Sequence, residues 1–173
     1  MRIIKCPGLT LEPQTAAHAE RMFVVLSDPA IYEFENEPPQ SEVWLCARFT
    51  RLELRRSSDG QEQWLNWVIR LPTTELIGYV QATVRSDGTA LIAYVLASAY
   101  WGRGLARLAV EAMIGELACH YQVRTILAVF KHVNQRSARL LERLGFQLVP
   151  PAVGERVQTQ PDELLMQIEV RDL

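Results

Sequence analysis

The chain has 173 residues, of which 49% are hydrophobic and 22% charged, with a formal net charge of −2. These proportions fit a single globular domain over residues 1–173 and exclude a disordered chain, because apolar residues run through the whole length. The mild acidity speaks against nucleic acid as the partner, since proteins that bind it present a basic face.

Cys6, Cys46 and Cys119 are scattered and form no CxxC pair, which argues against a disulfide framework and against a zinc or other metal site. The first residues lack the apolar core of a signal peptide, and no run approaches the roughly 20 apolar residues that span a bilayer. The expectation is a cytoplasmic, reduced protein without a membrane segment. Arg48, Arg51, Arg55 and Arg56 form a local basic run that reads as a solvated helix face.

In chain order, Leu9–Pro13 alternates and reads as a first strand. Ala16, Ala19, Phe23 and Leu26 recur at helical spacing, so a helix is expected over 15–26, stopped by Ser27-Asp28-Pro29. Residues 31–40 form an acidic, Pro-rich loop with Glu33, Glu35 and Glu37. Ser41 is placed to N-cap a helix carrying Trp44, Leu45, Arg48, Phe49 and Leu52, and 57–60 is a turn. An antiparallel meander follows, with strands at 64–71, 76–85 and 89–96 and a hairpin signal at Asp87-Gly88.

A long helix is expected over 104–121, with Leu105, Leu108, Ala109, Ala112 and Leu117 on its inner face and Cys119 in the core. The continuously apolar 125–129 reads as a central strand. Residues 134–144 are helical again, ended by Gly145 at the C′ position. Strands at 146–149 and 164–170, with a Pro- and Gly-containing loop between them, finish the chain. The predicted class is mixed α/β: one mostly antiparallel sheet of six to seven strands covered by about four helices.

The most informative segment joins the third meander strand to the long helix: Leu96-Ala97-Ser98-Ala99-Tyr100-Trp101-Gly102-Arg103-Gly104-Leu105-Ala106-Arg107. Two glycines at alternate positions let backbone approach a ligand without Cβ atoms in the way. The first N–H groups of a helix have no internal partner and carry the positive end of its dipole, so together they suit a phosphate or diphosphate. Arg103 and Arg107 add charge beside them. A tight turn with no ligand is the alternative for the two glycines taken alone.

With its surroundings, this segment resembles the GCN5-related N-acetyltransferase (GNAT) superfamily, in particular its ribosomal-protein N-terminal acetyltransferase-like branch. The matching pieces are Ser27-Asp28-Pro29, Glu75-Leu76-Ile77-Gly78, Ala93-Tyr94-Val95-Leu96, residues 100–106, and the run from Asn134 through Ser137 and Arg139 to Leu144-Gly145-Phe146. Each is short; their common order along most of the chain is specific.

The resemblance implies a sheet that splays open at its middle, where acetyl-coenzyme A (acetyl-CoA) enters. Its diphosphate would rest on the amides of Gly102, Arg103, Gly104, Leu105, Ala106 and Arg107, beside Trp101. Its pantetheine would run along the backbone of Tyr94, Val95 and Leu96 as an added strand does. Asn134 and Ser137 match positions that meet the pantetheine arm and the sulfur region, and Asn134 also suits an N-cap. The implied partners are acetyl-CoA and an amine acceptor, either a peptide or protein N-terminus or a small-molecule amine. Monomer and homodimer are both compatible with the sequence.

Acetyl transfer to an amine needs that amine neutral, a donor for the developing oxyanion and help for the leaving thiolate. A main-chain N–H at Val95 or Leu96 suits the oxyanion, and Ser137 the thiolate. Related chains often read AEIGY on the strand before the loop, with its glutamate facing the acceptor; here Leu91 holds that place. The base is then an acidic residue of the loop carrying Glu33, Glu35 and Glu37, or His132, or water acting on an already neutral amine. The missing carboxylate also leaves a catalytically silent acyl-CoA-binding regulatory domain as the alternative. Trp101 stands where other branches carry Gln or Arg.

Overall fold

The structure, a computed structural model, describes residues 1–34, 37–149, 157 and 159–170. Its strands are β1 (Ile4–Cys6), β2 (Leu9–Pro13), β3 (Glu62–Arg70), β4 (Leu76–Arg85), β5 (Thr89–Leu96), β6 (Thr125–Lys131), β7 (Gln147–Leu148) and β8 (Glu163–Glu169). Its helices are α1 (Ala19–Leu26), α2 (Glu42–Leu52), α3 (Leu105–Tyr121) and α4 (Gln135–Arg143). The strands form one sheet in the order β1-β2-β3-β4-β5-β6-β8-β7. Every pairing is antiparallel except β5 with β6.

Alternation along the strands divides the core in two. Trp67 and Ile69 of β3 face α3 and α4, joining Ile92, Ala109, Val110, Met113, Leu117, Ile126, Phe130 and Leu141. Val68, between them, faces the other way and packs with Ala19, Met22 and Leu26 of α1 and Leu45 and Phe49 of α2. Each Val, Leu, Ile, Phe or Met fully buried among these contributes roughly 1.5–3 kcal/mol. The sheet is therefore sandwiched, with α1 and α2 on one face and α3 and α4 on the other.

The caps explain where the helices begin. Ser41 Oγ accepts from Trp44 N at 3.0 Å, satisfying one free donor at the start of α2. Thr15 forms a capping box with His18 across the short 3-10 turn Ala16–His18, so the regular helix expected from 15 starts at Ala19.

The strand count is eight, not six to seven. The sequence reading lacked β1, three residues interrupted by Lys5 and followed by Pro7. Gly8, at φ +90°, turns it back onto β2. Tertiary bonds hold it: Arg2 donates to the buried carboxylate of Glu116 at 2.9 Å, and Trp67 Nε1 donates to Arg2 O at 3.1 Å. On α3 the inner face is Ala109, Val110, Met113 and Leu117, while Leu108 is 37% exposed. Cys119, expected in the core, is exposed near the helix end. Arg55 departs from the solvated run: it is half-buried at φ +59° and donates to the Gln14 carbonyl. The Pro- and Gly-containing loop before β8 falls largely outside the described residues.

Candidate functional site

The site is built on the two edges of β5. Toward β4 the strand is paired from Ala90 to Leu96. Toward β6 the pairing runs only from Thr89 to Ile92, opposite Thr125 to Ala128. Beyond Ile92 the two parallel strands part, and the sheet opens.

Main-chain groups alternate in direction along a strand. Ala97 N donates to Ile77 O at 2.9 Å, and Gly88 O accepts from Arg124 N at 2.8 Å. Odd-numbered residues of β5 therefore turn their amides toward β4, and even-numbered ones toward β6. Beyond Ile92 this leaves the N–H and C=O of Tyr94 and the N–H of Leu96 facing the opening. Val95, the other residue considered for the oxyanion, turns its amide toward Tyr79. The Leu96 carbonyl is taken by Trp101, whose Nε1 donates to it at 2.9 Å.

Gly78 is what lets β4 reach this point. An extra residue on β4 shifts its register against β3 between Ile69 and Arg70. A Cβ on Gly78 would stand 2.0 Å from Val95 O and 2.9 Å from Leu96 Cα. Only glycine allows the two backbones to pass so closely.

After Leu96 the chain makes a 3-10 turn, Ser98–Tyr100, before the glycines. Asp28 anchors it: its Oδ2 accepts from Ser98 N at 2.7 Å and its Oδ1 from Ala30 N at 3.0 Å. The Ser98 hydroxyl, together with those two amides, holds the Asp28 carboxyl below the usual carboxylate range. The sequence marked Asp28 as a helix stop; its bond to a residue distant in sequence had no local signal.

Gly102 and Gly104 have φ of +73° and +76°, the left-handed region that other residues enter at a cost. No atom lies within 4 Å of where a Cβ would stand on either. Their role is backbone conformation beside open space, not close packing. Among the described residues, no protein acceptor takes the N–H of Gly102, Arg103, Gly104, Leu105, Ala106 or Arg107. This set of free donors, with the helix dipole behind it, is chemically an anion cradle. Arg103 stacks over Tyr100 at 5.4 Å, and Arg107 lies 4.0 Å from Glu111.

The other wall is the start of α4. Asn134 is its N-cap, with Oδ1 accepting from Ser137 N at 3.1 Å. Ser137 is half-buried. Tyr94, on β5, packs into the same layer as Ala138 and Trp101. Its hydroxyl is buried with no hydrogen-bond partner. Burial pushes the Tyr94 phenol up to about 12, partly countered by the Ser137 hydroxyl. Arg136 lies over the Trp101 ring at 4.1 Å and pairs with Glu33.

The base candidates are placed as follows. His132 is exposed, with Nδ1 donating to Asp162 O at 2.9 Å, on the β8 side of β6 and not on the β5 side. Glu33 is engaged by Arg136, Glu37 is exposed, and Glu35 lies outside the described residues. On the α1/α2 side of β5, Leu91 is half-buried and Ala93 exposed, so this surface of the strand carries no ionisable side chain.

The acetyltransferase (GNAT) domain family matches residues 8–147. The uncharacterized N-acetyltransferase p20 of Bacillus licheniformis is 27% identical over 149 residues, covering 85% of this chain and 83% of its own. RimL, a ribosomal L7/L12 alpha-N-protein acetyltransferase solved with coenzyme A, superposes with a TM-score of 0.81 at 16% identity, over 97% of this chain and 98% of its own. The microcin C7 self-immunity acetyltransferase MccE, solved with acetyl-CoA and AMP, superposes with a TM-score of 0.79 at 16% identity, over 95% and 94%. At those identities the two structures carry the fold.

Proposed function

This chain belongs to the GNAT acetyltransferase family, and on that footing we propose that it is an N-acetyltransferase moving an acetyl group from acetyl-CoA to a primary amine. The acceptor is a peptide or protein N-terminus or a small-molecule amine, attacking directly while both substrates are bound. One observation carries this reading. The unpaired end of β5 leads through the turn Ser98–Tyr100 directly into the free amides of residues 102–107, so a strand edge and an anion cradle follow one another in one stretch of chain. That combination fits a diphosphate joined to an extended, amide-containing arm. The coenzyme A and acetyl-CoA complexes among the structural neighbours support the same ligand.

Acetyl-CoA, when bound, supplies an activated acetyl thioester. The chain's own residues orient and polarise. The amides from Gly102 to Arg107 hold the diphosphate, with Arg103, Arg107 and Trp101 beside it. The Tyr94 N–H and C=O pair with the arm, and Asn134 borders it. The Leu96 N–H is free to meet charge that develops on an acyl oxygen. Ser137 presents a hydroxyl to the departing sulfur. Most of the rate gain comes from holding the two reactants in line.

Among the described residues, β5 itself carries no carboxylate on its open face, and His132 is turned away. We therefore infer that water takes the proton of an amine that is already partly neutral. An α-amine, with a pKa of about 7.7–8.0, meets that condition better than a lysine at about 10.4.

Calorimetry with acetyl-CoA, followed by thiol detection across a panel of amines and N-terminal peptides, tests the proposal. Binding together with acceptor-dependent thiol release is the expected result. Tight binding without turnover on any acceptor would leave a silent acyl-CoA-binding domain instead.

A further inference from the structure

We propose that Tyr94 is a positioning residue for Ser137: its phenol donates a hydrogen bond to Ser137 Oγ and so turns the serine's own hydrogen toward the sulfur of bound coenzyme A. The inference rests on the role given to Ser137 above and adds a second side chain behind it.

A buried hydroxyl without a partner is uncommon in folded proteins and calls for an explanation. Tyr94 Oη is such a group. Strand alternation sends its side chain into the α3/α4 layer, where the ring packs with the apolar cluster that includes Ala138 and Trp101. The hydroxyl that bears on its ionisation is that of Ser137, although the two lie outside hydrogen-bond geometry. Ser137 is itself fixed from behind, because its amide is held by the Asn134 cap. Its side chain keeps one free rotation. A donor on the β5 side removes that freedom and leaves the serine hydrogen for a third partner. Such bonds commonly tighten only when the ligand is present.

Proton accounting favours positioning over transfer. Burial keeps the Tyr94 phenol protonated through the ordinary pH range. Both hydroxyl protons therefore stay where they are. The N–C bond forms, the C–S bond breaks, and the proton lost by the amine reaches solvent. The sulfur leaves as a thiolate steadied by the serine hydrogen.

The test needs no acceptor. Coenzyme A is bound to the wild-type chain, Tyr94→Phe and Ser137→Ala, and the thiol is titrated by its thiolate ultraviolet absorbance. In the wild type the bound thiol should ionise about one pH unit below free coenzyme A, a tenfold change in its ionisation constant. Ser137→Ala should abolish that shift, and Tyr94→Phe should remove at least half of it. The melting temperature should stay level in Tyr94→Phe, because the ring and the main chain remain and only an unpartnered hydroxyl is lost. Arg136 is present in all three proteins, so its field cancels.

A Tyr94→Phe protein with the wild-type shift overturns the inference while the Ser137 role stands. A Ser137→Ala protein with the wild-type shift overturns both. Loss of coenzyme A binding in Tyr94→Phe, whose main chain is unchanged, makes the phenol hydroxyl itself a ligand contact and also sinks the inference.

Discussion

The two edges of β5 meet opposite demands. Toward β4 the pairing is continuous to Leu96 and so tight at Gly78 that a single added carbon would collide with backbone. Toward β6 the pairing stops at Ile92, and the next even-numbered residues present their amides to open space. The strand can leave one edge unsatisfied because the other holds it in place. An unpaired strand edge otherwise invites association with other chains. Here it is short, and its last carbonyl is taken by Trp101 Nε1. On the proposed function, the closed edge serves stability and the open edge serves binding, so substitutions on the two should separate cleanly.

The largest expected effect is on the closed edge. Gly78→Ala places a Cβ 2.0 Å from Val95 O, where neither backbone can yield without breaking the sheet. A loss of more than about 4 kcal/mol is expected, enough to abolish soluble folded protein. A Gly78→Ala chain with near wild-type urea stability would show that the two strands are not locked at this point. Next comes the open side. Gly104→Val meets no protein atom, so its effect on folding is limited to about 1–2 kcal/mol for a branched residue in the left-handed region. Its effect on acetyl-CoA should be larger relative to stability, about 100-fold in affinity or ~2.7 kcal/mol. Calorimetry on the folded variant decides this; unchanged affinity would move the diphosphate away from the helix start.

Trp101→Phe lies between the two edges. It keeps the ring beneath Arg136 and removes the donor to Leu96 O. A loss of about 1 kcal/mol is expected in urea unfolding, the ordinary net worth of one such bond. A variant as stable as wild type would mean that the carbonyl finds water equally well and that the open edge needs no protein partner.

How much of this was legible in the residues depends on how local its cause was. The bounds of β4 and β5 follow from alternation and from the Asp87-Gly88 turn, where Asp87 Oδ1 accepts from Thr89 N at 2.9 Å. The cap residues Ser41 and Asn134 do in the structure what their types suggest. The glycine pair was readable as a tight entry into a helix, with both glycines left-handed as their type allows, because that physics is contained in a few residues. Failures came where the cause was distant or the pattern weak. Strand β1 exists because Arg2 finds Glu116 and Trp67 across the fold. On the inner face of α3, Ala109 and Leu117 are buried as expected, but Leu108 is misplaced and Met113 is missing. Apolar residues surround most of that helix, and spacing alone does not choose between those two. Gly78 was visible only as part of a resemblance, since its necessity arises from a neighbouring strand.

Asp28 gives the smallest effect and the one with a pH signature. It fastens the turn after β5 to the segment after α1 through the amides of Ser98 and Ala30. The Ser98 hydroxyl and those amides lower its folded pKa, so its contribution is fully present above the unfolded value of about 3.9 and is lost as pH falls through the lower folded value. The group is largely solvated, which reduces the expected contribution to about 0.5–1 kcal/mol. Asp28→Asn should lower stability by that amount near neutral pH, and its difference from wild type should shrink toward zero in strong acid. Urea unfolding at several pH values measures this. A difference that persists unchanged at the acid end would mean that the carboxylate charge plays no part, and that the side chain acts by shape and hydrogen bonding alone. Because Ser98 leads directly from the paired strand into the glycine loop, a matching loss in acetyl-CoA affinity would show that the closed edge sets the geometry of the open one.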